Sequence, residues 1–178
     1  MDFVSDGYSV LIDFSHWADV DPKKLDSFVR EFMLALYAWR RQKPAQTMVM
    51  VEECQSFIPQ MQSTGQSDNV KAFVAMLTGG RKFGLNFILS SQRQSLVDVN
   101  AVSGCNLSIY MRISAASDWK RMKQYLPEKF PLNFGSKTKK DVRKFHSGEA
   151  VVLSRWFDAS RFRLPLPEVA VTKFLTDD

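Results

Sequence analysis

The feature that most constrains the fold is an apolar run at residues 48–51 that ends on two adjacent acids, Glu52 and Glu53. A continuous apolar run of strand length is typical of a strand buried on both faces, as in parallel sheets covered by helices. In such sheets the functional side chains gather at the carboxyl ends of the strands. The sequence therefore predicts a parallel β-sheet with an acidic pair at its carboxyl edge.

Helical and strand patterns alternate along the rest of the chain. Asp21 and Pro22 predict a helix start, as an N-cap followed by proline at the first helical position, and Pro44 closes that helix. A second helical pattern ends at Gly79 and Gly80. Strands are predicted at 7–15, Thr47–Val51, 85–90, 107–113 and 150–153, another helix at 115–125, and an extended edge or strap at 161–167. This alternation indicates an α/β fold, a mainly parallel sheet flanked by helices, in a single domain spanning residues 1–178.

Length and composition are those of a globular protein. With 178 residues, of which 45% are hydrophobic, the chain can bury a sizeable core. No signal-peptide pattern opens the sequence, and no apolar run is long enough to span a bilayer. Cys54 and Cys105 lack metal-ligand spacing, so we interpret them as free thiols in a reducing cytosol. We therefore expect a cytoplasmic protein without a membrane partner.

Positive charge is concentrated in one segment of a chain whose formal net charge is +5. Residues 136–146 contain Lys137, Lys139, Lys140, Arg143 and Lys144. Such a cluster suits contact with nucleic-acid phosphates. A solvated surface loop is the alternative interpretation, because lysine and arginine are mostly exposed in any globular protein.

The acidic pair also indicates a chemistry. Nucleotide hydrolases place one carboxylate beside the magnesium ion and use a second group to orient or deprotonate the attacking nucleophile. The phosphate-binding pattern G-x-x-x-x-G-K-[ST], which normally accompanies such a strand, does not occur in the sequence. The residues therefore suggest one half of an ATP-hydrolysing site.

Four pieces of sequence stand in a distinctive order. They are VLIDFS at 10–15, MVMVEECQSFIP at 48–59, GRKFGL at 80–85 leading into SSQRQ at 90–94, and GEAVV at 148–152. The series resembles the C-terminal half of the HerA/FtsK-type DNA-translocating ATPases, and the HerA branch is the most similar. The similarity covers about residues 8–155 and leaves 156–178 as a C-terminal strap. It implies a RecA-like P-loop NTPase core that lacks its phosphate-loop portion.

The resemblance implies a ring-forming motor. Copies of the protein would form a hexameric ring that hydrolyses ATP with Mg²⁺ and moves double-stranded DNA, in company with a nuclease or another DNA-processing partner. Glu52 matches the acid that holds the magnesium ion beside the nucleotide. Glu53 matches the residue that orients and deprotonates the attacking water.

Three further positions match functional residues of that family. Arg81 matches the arginine that reaches into the neighbouring subunit's site and neutralises charge on the γ-phosphate. Gln92 matches the polar residue that senses the γ-phosphate or positions water, and Arg93 would support phosphate or a subunit contact. An arginine that only caps a helix and a loop amide without a role are the alternatives for Arg81 and Gln92.

The sequence departs from this family at two places. Because the phosphate loop is missing, the chain is interpreted either as part of a longer or separately encoded ATPase, or as a degenerate subunit that lends Arg81 to a neighbour. In both cases we expect the isolated chain to be inactive. Cys54-Gln55 also stand where HerA-like proteins commonly have Ala-His, which puts the histidine's contribution in doubt. A non-catalytic pseudo-ATPase subunit or DNA-binding module is the competing hypothesis.

Overall fold

The protein divides into two compact units, Met1–Gly104 and Cys105–Asp178. The computed structural model describes residues 9–14, 21–60, 68–125, 145–146, 148–154 and 160–163. In the first unit these residues form helices α1 (Pro22–Gln42), α2 (Asp68–Gly79) and α3 (Val99–Gly104) and strands β1 (Thr47–Val51) and β2 (Leu85–Leu89). In the second unit they form β3 (Leu107–Tyr110), α4 (Ala116–Tyr125), β4 (Glu149–Ser154) and β5 (Ser160–Arg163). The single domain expected from the sequence stays a prediction.

Helix α1 begins and ends at the signals in its sequence. The Asp21 carboxylate accepts a hydrogen bond of 3.0 Å from the backbone N–H of Lys23, which satisfies one donor of the first turn. At the other end, the Lys43 N–H donates to the Trp39 carbonyl at 2.9 Å, one residue before Pro44. The helix predicted from the Asp21-Pro22 start is therefore confirmed.

Strands β1 and β2 form the parallel pair that the apolar run predicts. Their register pairs Thr47 with Leu85 and Val51 with Leu89, so both strands run the same way and end at the same edge. The core of this unit consists of buried residues from α1, α2, α3 and the segment after each strand, namely Val29, Met33, Cys54, Ile58, Val70, Phe73, Met76, Val97 and Ala101. One face of the strand pair, with Val49, Val51, Phe87 and Leu89, packs on that core.

The opposite face of the strand pair is open, which corrects the prediction of a strand buried on both sides. Met48 is 61% exposed, and Met50 and Ile88 are exposed beside it. The physical reason is that α1 and α2 pack on the other face, so no described helix covers this one. Parallel sheets normally have both faces covered. The open face is therefore an apolar surface of the first unit.

The strand predicted at 7–15 is wrong for its described part, because residues 9–14 form no strand. Leu11 is 91% exposed, whereas the end of the segment is anchored in the unit. There the Phe14 ring packs against Phe28 and Phe57, each at 6.0 Å between centroids. Apolar sequence alone does not make a strand, because a strand is defined by the ladder of hydrogen bonds to its neighbour.

The second unit contains an antiparallel sheet in the order β3-β4-β5, where the sequence led us to expect mainly parallel pairing. Only five residues separate β4 from β5, and a connection this short joins antiparallel neighbours, whereas parallel ones need a long crossover. Tyr110, Trp119, Met122, Phe145 and Val151 form its core. The apolar alternation of β3 faces outward, since Leu107 and Ile109 are exposed while Tyr110 is buried.

Two further predictions can be compared with the described residues. Neither Cys54 nor Cys105 forms a disulfide, and burial raises the pKa of the Cys105 thiol above its usual value. Within the described residues, no helix has both the length and the apolar character needed to cross a membrane.

Candidate functional site

The ends of β1 and β2 are joined by backbone hydrogen bonds just beyond the last paired residues. The Ser90 N–H donates to the Val51 carbonyl at 2.9 Å, and the Cys54 N–H donates to the Ser90 carbonyl at 2.9 Å. The two loops that leave the sheet therefore start side by side. This places the acidic pair of β1 next to the polar residues that follow β2.

Glu53 and Gln92 contact each other at this edge. The Gln92 Nε2 amide donates to Glu53 Oε1 at 2.7 Å. The second carboxylate oxygen, Oε2, accepts a short hydrogen bond from the Nε2 amide of Gln55. Each oxygen of Glu53 therefore has an amide donor, one from its own loop and one from the loop after β2. An ionised carboxylate can accept about four hydrogen bonds, so acceptor positions remain for a water molecule.

The backbone of Glu53 is left-handed, with φ 46° and ψ 45°. Among the described residues it is the one non-glycine residue with positive φ, a conformation that costs roughly 1–2 kcal/mol. The bend starts a short 3₁₀ turn, Cys54–Ser56, in which the Ser56 N–H donates to the Glu53 carbonyl at 2.9 Å. The buried Cys54 side chain anchors this turn in the core. Backbone strain of this kind is found preferentially at functional sites.

A second hydrogen-bonded connection joins the two loops through Ser91. The Ser91 hydroxyl donates to Gln55 Oε1, and the backbone N–H of Arg93 donates to Ser91 Oγ at 3.1 Å. Sequence reasoning gave Gln55 no role beyond a departure from the family pattern, and it missed Ser91. Their position in the sequence is the signal that could have found them. Gln55 and Ser91 each lie within two residues of a predicted site residue at a strand end.

The loops continue as a joined pair beyond the site. The Gln60 N–H donates to the Leu96 carbonyl at 2.7 Å, and the Asp98 N–H donates to the Ile58 carbonyl at 2.9 Å. The Gln60 side-chain oxygen then accepts from the Val99 N–H at 3.1 Å, at the start of α3. These hydrogen bonds hold the loop after β1 and the loop after β2 together next to the site.

Glu52 is exposed at the end of β1, and no hydrogen bond or ion pair found among the described residues involves its carboxylate. A single carboxylate suits magnesium, which usually takes one or two protein ligands and keeps water and phosphate oxygens for the rest. The described part of the chain has no group of three or more histidine, cysteine, aspartate or glutamate side chains placed to hold a metal. A magnesium ion at Glu52 would therefore take its remaining ligands from water and a nucleotide.

Arg81 lies at the opposite edge of the strand pair. It is exposed on the 3₁₀ turn Gly80–Phe83, which connects α2 to the amino end of β2. The five residues of β2 separate that turn from the carboxyl edge, a distance of about 16 Å along the strand. The structure does not bring Arg81 to Glu53 of the same chain, since this distance exceeds the reach of an arginine side chain.

The structure places the remaining predicted residues as follows. Arg93 is exposed in the loop after β2, next to Gln92. Lys137, Lys139, Lys140, Arg143 and Lys144 lie outside the described residues. Among the described residues, the candidate site consists of Glu52, Glu53, Gln55, Ser91 and Gln92, with Arg93 at its margin.

No family model matches the chain, and no curated protein matches it. Several solved structures do. The genome-packaging NTPase B204 from Sulfolobus turreted icosahedral virus 2, in complex with ATP-γS, is 16% identical with a TM-score of 0.65, covering 93% of this chain and 71% of that one. The same NTPase in complex with AMPPCP is 14% identical with a TM-score of 0.60, covering 80% of this chain and 63% of that one.

A third similar structure is B204, the DNA-packaging ATPase from Sulfolobus turreted icosahedral virus. It is 13% identical with a TM-score of 0.61, and the alignment covers 93% of this chain and 77% of that one. At identities this low the likeness concerns the fold. The α/β fold class predicted from the sequence is confirmed.

Proposed function

We propose that this chain supplies the acid pair, the γ-phosphate sensor and the trans-acting arginine of a ring-forming ATPase that couples ATP hydrolysis to DNA translocation. The observation that carries the proposal is the contact between Glu53 and Gln92, 2.7 Å apart at the carboxyl edge of a parallel strand pair. This is the edge at which open α/β sheets bind their ligands.

Within this proposal each site residue has a separate task. Glu53 accepts the proton of the attacking water through an oxygen lone pair that the two glutamines leave open. Gln92 offers a neutral amide, which can hydrogen-bond both a phosphate oxygen and a water. Glu52 holds Mg²⁺, which when bound neutralises charge on the β- and γ-phosphate oxygens. Arg93, exposed beside Gln92, contacts phosphate or the next subunit in this proposal.

Arg81 acts on a neighbouring copy in this proposal. Support comes from its position about 16 Å along β2 from the carboxyl edge, too far to serve its own site. Glycines on both sides of it make the turn compact. A Cβ at Gly80 would lie 3.0 Å from Leu85 Cβ, and Gly84 has φ +84°. Arg81 is exposed on this turn, and the proposal puts the ring neighbour at this end of the strand pair.

Duplex DNA is the proposed polymer substrate, and a hexamer of the HerA-like kind is the proposed ring. The similar solved structures are named as genome- and DNA-packaging enzymes, which supports a role in moving DNA. In this proposal the cluster Lys137, Lys139, Lys140, Arg143 and Lys144 contacts DNA phosphates. A nuclease or another DNA-processing protein is the proposed partner.

The phosphate-binding loop comes from another part of the complete ATPase in this proposal. The open face of the strand pair, formed by Met48, Met50 and Ile88, is one surface that such an addition would cover. The described sheet of this unit also has only two strands, and two-stranded sheets are marginal without further packing. The open face favours a covering layer in the assembled enzyme, and the two-stranded sheet favours additional strands or packing.

A non-catalytic ring subunit is the second candidate. The observation that favours it is the lack of the pattern G-x-x-x-x-G-K-[ST] in the sequence. Such a subunit would lend Arg81 to a neighbour or hold DNA without hydrolysing ATP. It differs from the first proposal in one measurable respect, because Glu53 would then have no effect on turnover.

Glu53→Gln in the complete ATPase separates the two candidates. We expect the variant to lose hydrolysis while it keeps ATP binding, because the amide cannot take a proton from water but preserves the shape of the site. Phosphate release measures the first property and filter binding of labelled ATP the second, each with duplex DNA present and absent. Turnover at the wild-type rate would remove Glu53 from the proposed role and favour the non-catalytic subunit.

A further inference from the structure

The hydrogen bonds around Gln55 have a defined direction. The Arg93 backbone N–H donates to Ser91 Oγ at 3.1 Å, and the Ser91 hydroxyl donates to Gln55 Oε1. The other end of the same amide, Gln55 Nε2, then donates to Glu53 Oε2. Because a hydroxyl proton occupies the oxygen end of the amide, its NH₂ end is turned toward the carboxylate. The three hydrogen bonds therefore form a chain whose last acceptor is the Glu53 carboxylate.

This series gives Glu53 a support that its backbone does not supply. The residue sits in the left-handed region, φ 46°, immediately after β1, so the strand geometry does not continue through it. Its side chain is exposed and does not belong to the packed core. The two amide donors, from Gln55 and Gln92, are what hold the carboxylate in one orientation.

We propose that Gln55 is a positioning residue for Glu53, and that Ser91 orients the Gln55 amide for this purpose. The inference rests on the proposed function, because it assumes that Glu53 accepts a proton from water. Gln55 itself does not touch the reacting atoms. It holds one carboxylate oxygen so that the remaining lone pairs face the position of the water. Through Ser91 it also ties Glu53 to the loop that carries Gln92.

The first test is a spectroscopic signature in the 178-residue chain itself. Side-chain ¹H–¹⁵N resonances of Gln55 should lie away from the positions of solvated glutamine amides. They should shift in Ser91→Ala and again in Glu53→Gln, and Gln46→Met should leave them unchanged. Gln46 is a matched control, because its amide accepts a hydrogen bond from Asn86 at 3.1 Å near the other end of the strand pair. Gln55 resonances at solvated positions in all variants would overturn the inference.

The second test is the split between kcat and KM in the complete ATPase. Gln55→Met keeps the length of the side chain and removes its donor, so we expect kcat to fall about 100-fold, as misplacement of a reacting group by about 1 Å does. KM for ATP should stay within about twofold, since Gln55 does not contact the nucleotide in this arrangement. Ser91→Ala leaves Gln55 in place, and we expect a loss of about tenfold. Gln46→Met should hydrolyse ATP at the wild-type rate.

The outcomes separate this inference from the proposed function. If Glu53→Gln abolishes hydrolysis while Gln55→Met and Ser91→Ala retain the wild-type kcat, the positioning role is refuted and the proposed function stands. If Glu53→Gln also retains the wild-type kcat, the proposed function itself fails.

Discussion

Replacing Gly84 with alanine should destabilise the strand pair that carries the site. Gly84 follows the turn of Arg81 and has φ +84°, a conformation that costs a residue with a side chain roughly 1–2 kcal/mol. An added Cβ would also lie 2.3 Å from the Ala45 carbonyl oxygen and 2.6 Å from its carbon, so the backbone before β1 must move. That movement strains the hydrogen bond from the Thr47 N–H to the Gly84 carbonyl, now 2.9 Å long and worth about 1 kcal/mol.

The expected loss in the free energy of unfolding is therefore about 3 kcal/mol, a large share of the stability of a typical domain. Urea unfolding followed by circular dichroism measures it, and hydrogen exchange of Leu85–Leu89 reports whether β2 itself has loosened. Gly104→Ala is the matched control, since a Cβ there has no atom within 4 Å and the change should cost less than about 1 kcal/mol. Equal stability of the two variants would refute the reasoning about the turn.

Two further predictions concern the ring and its polymer. In mixed rings, Arg81→Ala subunits should inactivate wild-type neighbours, whereas Lys82→Ala subunits, altered at the next exposed residue, should not; ATPase activity strictly proportional to wild-type content would contradict a trans role. Replacing Lys137, Lys139 and Lys140 with glutamine should weaken duplex DNA binding and reduce its salt dependence, as loss of phosphate contacts requires. Fluorescence anisotropy across a salt series measures the affinity and its salt dependence. Unchanged affinity would favour the alternative interpretation of this segment as a solvated loop.

Local signals in the sequence were sufficient for much of the first unit. The Asp21-Pro22 start of α1, the strand Thr47–Val51 and the helix ending at Gly79 all match the observed elements. Each of these depends on neighbouring residues, such as a cap, an apolar run or a glycine pair. The meeting of Glu53 with Gln92 was also foreseeable, because parallel strands in one sheet end at one edge.

Other features depend on partners that a local pattern does not specify. Residues 9–14 have the composition of a strand, but a strand requires a hydrogen-bonded neighbour, and Leu11 is exposed instead. Antiparallel pairing of β3 with β4 joins segments almost forty residues apart, which periodicity does not reveal. The role of Gln55 depends on the Ser91 hydroxyl in the other loop, and an amide at that position is chemically neutral until its partners are known.

The central claim is that this chain carries the acid and sensor half of an ATPase site and takes its phosphate cradle from elsewhere. Calorimetric titration of the chain with Mg-ATP, with Glu53→Gln alongside, tests it most directly. We expect no binding up to millimolar ATP in either protein, because the sequence has no phosphate-loop pattern to contribute amide donors and a lysine. Clear micromolar binding would show a phosphate site within these residues and contradict the claim.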